Sequence, residues 1–191
     1  MTATEVLITV VVVVILALIA VAGWYMARRW SLRQRFGPEY DRLVAERDSR
    51  ADAEKELRER ARRYGELELR QLSEQDRAGY ATQWEEIQAR FVDEPNAAVA
   101  DAESLVQEVV STRGYPVSDH DELVNHLSVD HAHTIDHFRE AHTINDTNLR
   151  GEATTEQLRQ AMVHYRALLA DLLGNGTVQL TDPANPEPSH P

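Results

Sequence analysis

Imidazole is the commonest side-chain ligand for transition metals and the group that titrates nearest neutral pH. Six of this chain's eight histidines fall between His120 and His142. Read as one helix from an Asp130 cap to about Thr147, the segment sorts them by face at about 100° per residue. His131 and His142 share the side of Ile135, Phe138 and Leu149, a core-facing stripe on which both rings are expected to be packed and hydrogen-bonded. His133 and His137, at i and i+4, share the opposite face, where Asp130 and Glu140 supply nearby carboxylates. His133, His137, Asp130 and Glu140 are therefore the candidate ligands for a divalent ion. Two exposed histidines among acidic residues on a solvated helix face need no metal, and that plainer reading is preferred.

Other chemistry is thin. The HExxH pattern is absent, and so is the repeated Glu-x-x-His that di-iron bundles place on facing helices. His120-Asp121 forms a His-Asp doublet, but phosphohydrolases that use one need an earlier histidine, and His120 is the first here. There is no Gly-rich phosphate loop, no GxSxG elbow and no cysteine nucleophile, while the few serines lie mainly at helix caps. The absence of cysteine also excludes disulfides and thiolate zinc, and leaves the redox compartment unread. Nothing in the pattern argues for an enzyme, and no cofactor is expected.

The elements around the histidines begin with an apolar run. Val6 to Ala27 is 22 residues without a charged side chain. As a helix rising about 1.5 Å per residue it spans roughly 33 Å, the depth of a bilayer's hydrocarbon core. Trp24, Tyr25 and Trp30 mark its C-terminal end, where amphipathic rings favour the headgroup layer. Arg28, Arg29, Arg33 and Arg35 follow, whereas Met1–Glu5 carries no Lys or Arg. The positive-inside bias predicts one membrane span with the N-terminus outside and the C-terminal part cytoplasmic. The alternative is a signal peptide cleaved near Ala22, after the small-x-small triplet Ala20-Val21-Ala22. It is disfavoured by the uncharged leading segment and by an apolar run longer than an ordinary signal core.

After the span, Phe36-Gly37-Pro38 reads as a break, and residues 39–63 as a charged helix. Arg47, Arg50 and Glu54 fall where a heptad seam would need apolar groups, so residues 28–72 are expected to form a solvated juxtamembrane stalk rather than a coiled coil. Residues 73–173 read as four main amphipathic helices plus a short one. Ser73 and Asp76 open the first, with Tyr80, Trp84, Ile87 and Phe91 as its stripe. Val99, Ala102, Leu105, Val106, Val109 and Val110 line the next, which closes at Gly114. Ser118 and Asp121 open the short piece before the histidine helix. Thr154 and Gln157 then open a last helix carrying Leu158, Ala161, Met162, Tyr165, Leu168, Leu169 and Leu172. No segment alternates as a strand does, so the class is all-α: a transmembrane helix, a charged juxtamembrane helix and a bundle. Residues 174–191, with four prolines and no apolar cluster, are expected to be a disordered tail.

Charge is unevenly placed within a net −12. Residues 28–72 hold 13 basic and 10 acidic side chains, and residues 73–191 hold 7 and 21. An acidic distal part repels phosphate backbones, so nucleic acid is not an expected partner.

The stretches RFGPEYDR (35–42), FVDEPNAAVADAESLV (91–106), STRGYPVSD (111–119), LSVDHAH (127–133) and LRQAMVHYRALL (158–169) resemble a family of uncharacterised bacterial membrane-anchored helical proteins. The likeness runs from about residue 35 to 173. It implies a helical, tethered architecture and brings no activity or functional residue with it. Two functions from different classes remain open. One is a structural or adaptor module whose acidic bundle meets a protein partner or a second copy. The other is a metal- or pH-responsive sensor built on the His120–His142 segment.

Overall fold

The structure, a computed structural model, describes residues 3–174, with side chains from Val10 onward. The expected tail from 175 lies outside the described residues. Among the described residues seven helices form in chain order: α1 (Ala3–Glu46), α2 (Arg50–Gly65), α3 (Glu74–Arg90), α4 (Pro95–Thr112), α5 (His120–Asp130), α6 (Ile135–Leu149) and α7 (Thr155–Leu173). Among the described residues there is no strand. The chain divides into two compact units, the second beginning at Arg60.

In the first unit, the apolar half of α1 is long and hydrophobic enough to cross a membrane, and none of that window is buried. Gly37 interrupts the helix with φ 46° and ψ −123°, a conformation open to glycine, and Pro38 follows inside α1. The turn brings Arg33 to 3.3 Å from Asp41 and Arg29 to 3.8 Å from Glu54. The helix predicted over 39–63 is in fact two pieces. Ser49 accepts from the Asp52 amide at 3.1 Å and starts α2 as an N-cap, a local bond that competes with helix continuation. Nor is the segment solvated throughout. Phe36, Tyr40, Leu43, Ala53 and Leu57 are buried, and the Tyr40 hydroxyl donates to Glu54 at 2.9 Å.

The second unit is a bundle in which α4 packs against α3, α6 and α7, α6 against α7, and α5 against α6. Capping boxes at Ser73–Asp76 and Thr154–Gln157 satisfy the first amides of α3 and α7. The α4 and α7 stripes are buried along their whole length, and Tyr80, Trp84 and Ile87 are buried on α3, with Phe91 only half-buried at its end. Gly114 reverses the chain after α4 at φ 94°, and a Cβ there would lie 2.8 Å from the Glu68 carbonyl oxygen. That close approach lets residues 66–72 lie against the bundle, where the Arg70 amide donates to the Arg113 carbonyl at 2.9 Å and Leu72 joins the core.

The histidine region departs most from expectation. Asp119, not Ser118, caps α5, accepting from the Glu122 amide at 2.9 Å. α5 runs to Asp130, residues 131–134 form a turn, and α6 starts only at Ile135. The continuous helix from Asp130 to about Thr147 is therefore absent. Asp130 closes one helix instead of opening the next, and the hydroxyl of Tyr64 donates to its carboxylate. Leu149 keeps the helical phase of the buried Ile135 and Phe138, but as the last residue of α6 it is not a core residue and stands 71% exposed.

Candidate functional site

Packing of α6 against α4 and α7 separates the histidines into three settings. The first joins the 131–134 turn to the end of α7. His131 is buried, its Nδ1 2.8 Å from Asp171 Oδ2 and its Nε2 3.2 Å from Arg113 Nη1. An arginine can only donate, so Nε2 accepts from Arg113 and Nδ1–H donates to Asp171. Thr134 Oγ1 donates to the same carboxylate oxygen at 2.6 Å. Burial disfavours the Asp171 charge, but the bonds from His131 and Thr134 outweigh it and hold the carboxyl below its usual range. His131 is thus packed and hydrogen-bonded, as its sequence position suggested, though from a turn and not from a helix face.

The second setting is a polar seam between α4 and α6. Glu103, buried on α4, receives His142 Nδ1 at 2.5 Å on one oxygen and the Asn145 amide on the other. Asn148 continues the seam, donating to Asn145 Oδ1 at 3.1 Å and to the Asn96 carbonyl at 2.9 Å. Burial opposes the Glu103 charge, yet His142 and Asn145 hold its pKa low, while the Glu103 bond raises His142. His120, from the first turn of α5, stacks on His142 with ring centroids 3.6 Å apart, and burial together with His142 lowers its pKa. The Tyr165 hydroxyl is buried beside Glu103, and burial first, then the charge and hydrogen bonding of that carboxylate, push its pKa up. Glu103, His120 and His142 can present three donor atoms to one point. The two rings are within 14° of parallel, however, so their in-plane lone pairs run side by side instead of converging.

The third setting lies between α6 and α7. His137 Nδ1 and His164 Nδ1 face each other at 2.9 Å, and the other nitrogen of His164, Nε2, lies 3.0 Å from Glu140 Oε2. Both rings are half-buried and Glu140 is exposed. Burial lowers the His164 pKa, with Glu140 opposing and His137 reinforcing. A cleft of about 360 Å³ opens beside His164, lined also by Arg139, Glu140, Thr143, Ile144 and Gln160.

Of the four residues chosen from sequence, the fold brings His137 and Glu140 together and leaves the other two apart. His133 stands exposed in the 131–134 turn, so its helical i, i+4 relation to His137 does not exist, and Asp130 is engaged by Tyr64. His164 was not singled out because it lies far along the chain from the cluster. A signal for it existed: an antiparallel α6–α7 hairpin turning at Arg150–Gly151 places positions nearly equally far on either side opposite one another, and His137 and His164 are such a pair.

No family model, curated protein or solved structure matches the chain. What the fold defines is a class: among the described residues, an all-helical chain with one helix long and apolar enough to cross a membrane and a helical bundle.

Proposed function

We propose that this protein is a single-pass membrane-anchored, non-enzymatic module whose acidic bundle docks a protein partner on the cytoplasmic side. The observation that carries the reading is the bare surface of α1. From Val10 to Met26 its large apolar side chains are 48–73% exposed, with none packed in a core. A contiguous apolar surface of that length is stable in hydrocarbon and costly in water. The arginines that follow supply the orientation, with Arg29 and Arg33 also engaged by Glu54 and Asp41. The bundle's acidic excess favours a basic or neutral docking surface over a phosphate backbone.

The test is a reporter fused after Pro191, read together with alkaline extraction of membranes and the mass of the mature chain. The expected result is a full-length, carbonate-resistant protein with cytoplasmic reporter activity. Exported activity from a full-length chain would reverse the orientation, and a mature chain starting near position 23 would replace the anchor by a signal peptide. The sensor reading is favoured by one observation, the gathering of histidines and carboxylates at helix interfaces.

A further inference from the structure

We propose that His137 and His164 form a binding site for a zinc-class divalent ion at the α6–α7 interface, with Glu140 orienting His164. The two Nδ1 atoms lie 2.9 Å apart on different helices; the ring planes are 28° from parallel but the centroids are 5.0 Å apart, so the rings meet offset at their Nδ1 edges instead of face on face. Two imidazole nitrogens bound to tetrahedral zinc at about 2.0–2.1 Å stand about 3.3 Å apart. The site therefore needs to open by only a few tenths of an ångström, which side-chain torsions supply without moving either helix.

Without an ion, one Nδ1 must carry the hydrogen that bonds the other. With an ion between them, both present lone pairs and the hydrogens reside on the Nε2 atoms. For His164 that tautomer is already favoured, because Nε2 lies 3.0 Å from a Glu140 oxygen that can only accept when ionised. A carboxylate on the far nitrogen of a ligating histidine is the usual arrangement for fixing ring orientation and raising ligand basicity. Of the two ligands, His164 lines the adjoining cleft, and water would complete the coordination. Arg139 lines that cleft, but its guanidinium donates to Asp136 at 2.7 Å. The Glu103–His120–His142 group is the weaker candidate, because its rings stack in parallel and His142 and Glu103 already satisfy one another.

The experiment is zinc titration of tag-free, full-length protein in detergent micelles by calorimetry. The expected result is one ion per chain in the wild type, with saturable binding lost in His137→Ala and in His164→Ala. Glu140→Ala should weaken affinity about 10–100-fold, and His120→Ala and His133→Ala should leave it unchanged. No saturable binding in the wild type overturns the proposal, and so does binding that survives in both first variants or disappears in His120→Ala. Copper(II) loaded into the wild type provides a readout independent of variant folding. Electron spin resonance should show coupling to two imidazole nitrogens, and coupling to fewer overturns the site.

Discussion

Glu103 is a carboxylate placed almost wholly inside a helical bundle, and its neighbours show what that requires. Each oxygen has a donor, His142 on one side and Asn145 on the other. Removing one partner of such a pair leaves a desolvated charge, which costs more than the hydrogen bond itself contributed. His142→Ala is therefore expected to lower stability by about 1–3 kcal/mol, the lower half being favoured because the His142 side chain is 26% exposed. The pH dependence has two limbs. The folded pKa of Glu103 is depressed, so its contribution is present above the unfolded value of about 4.3 and is lost as pH falls through the folded value. The folded pKa of His142 is raised, so its contribution is complete below about 6.5 and is lost as pH rises through the folded value. The difference in urea midpoint between wild type and His142→Ala should be greatest between about pH 4.3 and 6.5 and narrow on both sides. A gap independent of pH would mean that His142 acts by packing alone.

At the scale of elements, chain reversals decide which helices meet. Gly114 ends α4 at φ 94° with the Glu68 carbonyl against its Cα, so a side chain there is opposed both by backbone preference and by a backbone atom that cannot rotate aside. Gly114→Ala is expected to cost about 1–3 kcal/mol in thermal or urea unfolding and to loosen residues 66–72 first. Protection of the Arg70 amide, which bonds the Arg113 carbonyl, is the local measurement by hydrogen exchange. Unchanged protection and stability would show that the segment adapts freely. The turn at 131–134 makes the complementary point. His131 and Thr134 are held by Asp171 at the far end of α7, so that turn is specified by a residue distant in the chain and carries no strong breaker of its own.

For the whole molecule, the useful boundary is Arg60, not the Ser73 cap. Residues 60–174 contain Tyr64, which reaches Asp130, and Leu72, which joins the core. A fragment of residues 60–174 is expected to melt cooperatively with high helix content by circular dichroism. A fragment starting at 73 should be less stable by about 2 kcal/mol or more, since full burial of a leucine alone contributes roughly 1.5–3 kcal/mol. A non-cooperative melt of the longer fragment would show that the bundle depends on the preceding unit or on a partner.

The sequence by itself determined the helical class, the apolar span of α1, the caps at Ser73 and Thr154, and the buried stripes of α4 and α7. Those features are written in spacings of a few residues, and neither a period near 3.6 nor a cap three residues from its partner needs knowledge of the rest of the chain. Only the tertiary structure decided where α5 ends and α6 begins, why Ser49 interrupts a charged helix, and which histidines meet. His137 faces His164 and His142 faces Glu103 because α6 packs against α7 and α4. Helical phase says which residues share a face of one helix and nothing of what a second helix brings to it. The 131–134 turn took His133 out of helical register with His137, while Leu149, still in phase with the buried Ile135 and Phe138, is exposed as the last residue of α6.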